Sequence, residues 1–242
     1  MNASRVALVT GANTGIGRAI AERLLREEYA LGYGTREQDD EGAEQLRLLG
    51  EVNNVWGDLR DPEVPRRLVR ETVDELGRLD VLVNNAGITL SKPALKLTVQ
   101  DFDDIFTTDV RAAFLASQAA AAAMTEGGVI VNITSVHEHV PRPGFALYAP
   151  AKAAVGMLTR SLALELAPSI RVVAVAPGAI ATERNVEARG KLDREIPLGR
   201  AGEPEEVAAL VAWVCSPEAS YVTGASLLID GGMAQQVFEM PG

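Results

Sequence analysis

One cysteine, two histidines, few aromatics and a deficit of positive charge are the first features of this chain. A single cysteine, Cys215, excludes an intrachain disulfide, and a reducing cytoplasmic location is expected. It lies in the apolar run VAALVAWVCS and reads as core, not as a nucleophile. Lys and Arg number 23 against 33 Asp and Glu, a net charge of −10. That balance argues against nucleic acid or an anionic membrane surface as a partner. No apolar stretch reaches the length of a bilayer span, and the apolar segment near the N-terminus is too short for a secretory signal. His137 and His139 form a His-x-His pair with no third histidine and no cysteine to complete a zinc site. No metal is expected there; a hydrogen-bonding or substrate-contacting role is.

What the chain does have is 47% hydrophobic residues in a regular alternation. Strand-length apolar runs are expected at Val6–Thr10, Ala30–Thr35, Asn53–Asp58, Asp80–Asn84, Val129–Ser135, Ile170–Ala176 and Ala225–Asp230. Between them lie helical segments near Gly17–Glu28, Glu41–Leu49, Pro62–Leu76, Thr98–Thr125, Tyr148–Ala167 and Pro204–Ser216. Thr98 and Asp101 have capping-box spacing, and Pro204 suits a first helical turn. Strands as uniformly apolar as VALV, VLVN and VVAV are covered on both faces. The expectation is a single α/β domain over residues 1–242, a doubly wound (Rossmann) parallel sheet of about seven strands.

The first strand runs into Gly11-Ala12-Asn13-Thr14-Gly15-Ile16-Gly17. Glycines there permit positive φ and close approach of backbone to a pyrophosphate, and the next helix offers free N–H groups at its start. Further on, Tyr148 and Lys152 are four apart and share a helix face. An ammonium beside a phenol favours the phenolate, which lets a tyrosine give and take protons near neutral pH. Ser135, ending the fifth strand, offers a hydroxyl to hold a substrate oxygen. The set suits interconversion of an alcohol and a carbonyl.

The glycine turn, Asn84-Asn85-Ala86-Gly87, Ser135 and Tyr148-x-x-x-Lys152, in this order, resemble the short-chain dehydrogenase/reductase family. Thirteen positions separate Ser135 from Tyr148, as in that family, and Asp58-Leu59, Pro177-Gly178 and Asp230-Gly231-Gly232 extend the likeness along nearly the whole chain. The resemblance implies that Gly11, Asn13, Thr14, Gly15, Ile16 and Gly17 line the pyrophosphate and that Asp58 and Leu59 meet the adenine. It implies that Asn85, Ala86 and Gly87 support the cofactor, and that Pro177, Gly178, Ile180 and Thr182 position the nicotinamide. Tyr148 is then the acid/base, Ser135 polarises the substrate oxygen, and Lys152 holds the ribose beside the tyrosine. The family's usual acidic residue after the second strand is replaced by Thr35, followed by Arg36, which points to NADP(H), with NAD(H) possible.

One position departs from the pattern. The family usually carries an asparagine in the long central helix; alignment puts Asp109 there. Three readings stay open: an ion-pair partner for Lys152, a protonated carboxyl standing in for the amide, or a site that no longer turns over. The segment between Ser135 and Tyr148, which in the family lines the substrate cleft, is polar here; its Ser-Val-His-Glu start and following Pro-x-Pro look like the glucose 1-dehydrogenase branch, which implies a sugar or polyol. The polar charged run within Ile180–Leu198, expected as a lid, fits a small polar substrate. A 3-oxoacyl-carrier-protein reductase is the alternative, for which Arg111, Arg142 and Arg160 are scattered docking candidates. A non-catalytic dinucleotide sensor is the alternative of another class. Family likeness further implies a homotetramer built on the two long helices.

Overall fold

A computed structural model describes residues 5–182 and 196–235. Seven strands form one parallel sheet in the order β3-β2-β1-β4-β5-β6-β7 among these residues. They are β1 Val6–Thr10, β2 Ala30–Thr35, β3 Val52–Trp56, β4 Val81–Asn84, β5 Gly128–Ile133, β6 Ile170–Pro177 and β7 Ser226–Ile229. Each lies within a residue or three of its expected place, because two-sided burial selects the same Val, Ile, Leu and Ala runs that mark them in sequence.

Helices cover both faces. On one, α1 (Gly15–Arg26), α2 (Asp40–Arg47) and α7 (Pro204–Cys215) close over Val9, Leu31, Val83, Val131 and Val175. On the other, α3 (Val64–Leu76), α5 (Ala112–Ala123) and α6 (Tyr148–Leu166) close over Leu8, Leu82, Ile130 and Val172. Alanines at 116 and 120 let α5 lie close to the sheet. Cys215 is buried in the first layer, which pushes its thiol up to about 12 and leaves it inert.

The long central helix is not uniform. It starts as α4 (Val99–Ile105) with the expected reciprocal cap: Asp101 N–H donates to Thr98 Oγ1 at 3.1 Å and Thr98 N–H to Asp101 Oδ2 at 2.7 Å. It then widens into a π-helical turn, Phe106–Arg111, before α5 resumes α geometry. Such turns often mark sites, and this one contains Asp109. Since β1 pairs with both β2 and β4, the chain reverses direction across the sheet at β1/β4. That crevice, outside the carboxyl ends of the strands, is where the glycine turn and Asn85–Gly87 emerge.

Candidate active site

At the β1 end, Gly11 and Gly15 hold φ of +64° and +54°, values that L side chains rarely adopt. A Cβ on Gly17 would stand 2.1 Å from Gly11 O and 2.4 Å from Asn85 Nδ2, so only glycine fits. Asn85 is what closes the turn: its Nδ2 donates to Thr10 O at 3.0 Å and Gly11 O at 3.1 Å. Thr10 Oγ1 in turn accepts the N–H groups of Asn85 and Ala86, both at 3.1 Å. Thr14 caps α1 without using its side chain, and Asn13 and Thr14 are exposed, so the first helical N–H groups face outward. A backbone cradle with no side chains in it, at a helix start, fits a dinucleotide pyrophosphate.

The other predicted cofactor residues gather on the same rim. Gly178 N–H donates to Ile229 O at 3.0 Å, and Asp230 Cα leaves it no room for a Cβ. Thr182 sits against the glycine turn, its Cγ2 3.1 Å from a Cβ built on Gly15. Pro177 ends β6, and Ile180 is buried in the core while its backbone bridges to Gly202. Leu59 reaches the cavity lined by Asn84, Ala86, Asp109 and Lys152. Arg36 and Asp58 do not stand apart as sequence alignment left them: Arg36 Nη2 lies 3.2 Å from Asp58 Oδ2. Asp58 also takes Arg60 Nη2 at 2.6 Å, and hydrogen bonding from Arg60 holds its carboxyl down at about 2. The lid expected within Ile180–Leu198 falls largely on 183–195, outside the described residues.

Across the crevice, side chains are buried instead. Lys152 is 6% exposed and Asp109 3%. Lys152 Nζ donates to Ile133 O at 3.2 Å and stands 3.0 Å from Asp109 Oδ2, a charge contact outside hydrogen-bond alignment. Asp109 Oδ1 accepts the N–H of Ile88 at 2.8 Å. Burial alone would lower the ammonium's pKa; the charges of Asp109 and Tyr148 outweigh it, and the net direction is upward. Of the readings left open for Asp109, the geometry is that of an ion pair. Gly87 is required beside it, because a Cβ there would lie 2.8 Å from Asp109 Oδ2 and 3.1 Å from Lys152 Nζ.

Tyr148 opens α6 one turn before Lys152, whose Nζ is 5.7 Å from the phenol ring centre. Ser135, 7% exposed, follows β5, and its Oγ accepts the His137 N–H at 3.2 Å. The histidines are used separately: His137 Nδ1 meets Val140 O at 3.0 Å, and His139 Nε2 meets Ser226 Oγ at 3.2 Å. No group of three or more metal-ligating side chains occurs among the described residues. Glu138, expected along a polar cleft wall, instead turns inward with a side chain 2% exposed.

Two supports had weak sequence signals. Asn132 and Asn84 sit opposite each other in β5 and β4. Asn84 Nδ2 donates to Asn132 Oδ1 at 2.8 Å, and Asn132 Nδ2 to Thr159 Oγ1 at 2.8 Å, pinning α6 to the sheet. Asn84 belongs to the Asn84–Gly87 motif that the family likeness implies supports the central sheet; for Asn132 a lone amide in an apolar strand was the available clue. Thr10, the knot of the glycine turn, had none beyond ending a strand.

The comparisons with known proteins agree with this arrangement. A family model described as Enoyl-(Acyl carrier protein) reductase matches residues 11–234. Glucose 1-dehydrogenase 2 of Bacillus subtilis is 38% identical, over 95% of this chain and 94% of its own. The crystal structure of an acetoin dehydrogenase from Enterobacter cloacae superposes with a TM-score of 0.90 at 40% identity, covering 100% of both chains. A blue fluorescent protein from a metagenomic library, in complex with NADPH, has a TM-score of 0.89 at 37% identity, over 97% of this chain and 100% of its own.

Proposed function

The chain belongs to the short-chain dehydrogenase/reductase family, and from that premise we propose that it interconverts a secondary alcohol and a carbonyl, using NADP(H) in preference to NAD(H). The observation that carries this reading is the charged Lys152, held by Asp109 one turn behind Tyr148 and beside the glycine cradle.

Gly11 to Gly17, Asn85 to Gly87, and Pro177, Gly178 and Thr182 would hold the dinucleotide. Bound there, the nicotinamide supplies or takes up the hydride with its electron pair. In the reducing direction Tyr148 gives its phenolic proton to the carbonyl oxygen as the alcohol forms; in oxidation the phenolate takes that proton back. Lys152, kept charged by Asp109, favours negative charge on the phenol during the transfer. Asp109 is itself steadied by the Ile88 N–H. The Ser135 hydroxyl donates to the substrate oxygen and fixes its angle to Tyr148.

Thr35 brings no carboxylate to the ribose, and the Arg36 guanidinium beside it is 68% exposed, which supports room for a 2′-phosphate. The substrate is a small hydroxylated molecule, a sugar or polyol, in keeping with the glucose and acetoin named for two relatives. Reduction of a 3-oxoacyl thioester is the second reading, favoured by the name of a 37% identical relative, a 3-oxoacyl-[acyl-carrier-protein] reductase of Staphylococcus aureus. Against it, Arg111 is engaged with Arg60 O and Arg160 with Glu138, leaving less basic surface for an acidic carrier. The protein acts as a homotetramer in the cytoplasm. The apolar groove between Phe102, Phe106 and Phe114 of the central helix and Met157 and Leu158 of α6 supports burial between subunits.

The test is nicotinamide absorbance with glucose, polyols, acetoin and an acetoacetyl thioester. Turnover of hydroxylated substrates is expected. Turnover of the thioester alone would shift the reading to the second. Firm NADPH binding with no consumption across the panel would leave a sensor.

A further inference from the structure

We propose that His137 recognises a hydroxyl on the substrate carbon next to the one that reacts, so that α-hydroxy ketones and vicinal diols are preferred over plain ketones and alcohols. The inference rests on the oxidoreductase reading above and concerns the same site.

The argument begins with one hydrogen bond. His137 Nδ1 lies 3.0 Å from Val140 O, and a carbonyl can only accept. Nδ1 therefore carries the proton, and in the neutral ring Nε2 is a bare acceptor. The ring is half-buried, and burial, with the nearby charge of Arg142, lowers its pKa against the opposing pull of the Val140 carbonyl. Nε2 has no hydrogen-bond partner among the described residues, and it is not one of the sealed, unsatisfied atoms. It is an acceptor left open.

Its ring is also fixed. The imidazole stacks on Phe145 with ring centres 4.8 Å apart and stands edge-on to Tyr148 at 6.2 Å. Phe145 touches Tyr148 in turn, at 5.6 Å, so three rings make one wall beside the phenol. The turn that carries His137 cannot drift, because Glu138 anchors it. Glu138 Oε1 takes Arg160 of α6 at 3.3 Å, and Oε2 takes Ser226 Oγ of β7 at 2.9 Å. That carboxylate fills the notch at Gly156, where a Cβ would stand 2.1 Å from Oε1. An acceptor locked beside Tyr148, two residues from Ser135, is placed to meet an oxygen one carbon away from the oxygen those two residues hold. A plain ketone leaves it unpaired.

The experiment uses the full chain with NADPH, comparing kcat/KM for 3-hydroxy-2-butanone and 2-butanone in wild type, His137→Phe and His137→Gln. The readout is the ratio between the two ketones, which a loss of packing would not move because it lowers both rates together. Wild type is expected to favour the hydroxy ketone by roughly 10–100-fold, the worth of one hydrogen bond in a partly enclosed site. His137→Phe, which keeps a ring against Phe145, should bring the ratio close to one, and His137→Gln, which keeps an acceptor, should hold an intermediate value. A ratio unchanged in His137→Phe overturns the inference; should that variant not fold, a ratio unchanged or abolished in His137→Gln does the same. Wild type that reduces both ketones without preference overturns it and leaves the oxidoreductase reading intact. Wild type that reduces neither ketone nor any member of the wider panel overturns both.

Discussion

On the β2–β3 side of the crevice, Arg36, Asp58, Arg60 and Asp104 form a chain of ion pairs facing solvent, with side chains about a third or more exposed. On the β4–β5 side, Lys152 and Asp109 have side chains 7% and 0% exposed, so bulk solvent screens their charges little. Exposed pairs of the first kind contribute about 0–1 kcal/mol and can be rearranged by a ligand. A buried pair is different: removing one partner costs about 3–5 kcal/mol because the other charge is stranded. The side proposed for the adenosine is thus adjustable, and the side proposed for chemistry is fixed. Between them lies the glycine cradle, which works by shape alone.

Tyr148→Phe probes the fixed side most sharply. Loss of the phenolic proton should lower turnover by about 10²–10⁴-fold, with NADPH affinity held within a few-fold. Steady-state kinetics and fluorescence titration check the two halves, and turnover above a tenth of wild type would remove Tyr148 from its role. Gly17→Ala attacks the cradle. The new methyl cannot avoid Gly11 O, so NADPH dissociation should weaken about 100-fold, with about 1–3 kcal/mol lost in urea unfolding. Near-normal binding would show that the turn can yield.

Asp109→Asn tests the buried pair through pH. In wild type the folded Lys152 value lies above its unfolded one, about 10.4. The pair's contribution is therefore complete below that pH and is lost as pH rises through the folded value. In the variant, burial dominates and the folded lysine value drops below the unfolded one. Stability then rises with pH toward about 10, the opposite slope, on top of a loss of about 3–5 kcal/mol near neutrality. Urea unfolding between pH 7 and 10 reads the slope directly; parallel curves would mean that Asp109 does not hold the lysine charge. A turnover higher than wild type would show the carboxylate to be a handicap. Arg36→Ala, on the adjustable side, has the smallest effect: KM for NADPH should rise about 5–10-fold, within the range of one charge-assisted hydrogen bond, and for NADH hardly at all. Equal rises for both would sink the assignment of Arg36 to the 2′-phosphate.

Sequence pattern read the sheet well because its signal is local: β1, β2, β4, β5 and β6 are covered on both faces and say so in four to eight consecutive residues. Tyr148 and Lys152 were legible for the same reason, since i and i+4 share a face whatever the helix packs against. What escaped pattern was set by partners distant in sequence. Arg36 and Asp58 are 22 positions apart and meet only because β2 and β3 are neighbours. Glu138 looked like part of a cleft wall, and it turns inward because Gly156 leaves a notch in α6. The π turn gives no local sign either: FTTDVR contains neither glycine nor proline. Thr107 Oγ1 folding back onto Asp103 O at 2.5 Å and the pull of Lys152 on Asp109 accompany it, and neither is a sequence period.

That turn ties the chemistry to chain length. A π turn spends one residue more than an α turn over the same rise, so excising a single residue at 107 or 108 would let α4 run straight into α5. Both flanks would keep their facing, because the wide turn had absorbed the extra residue, and only side chains inside it, Asp109 among them, would be re-aimed. The carboxylate would leave the lysine while Phe102 and Phe114 kept the groove they share with Met157. A single inserted residue is thus what carries a carboxylate under the lysine on a helix whose two ends otherwise face as one rod would.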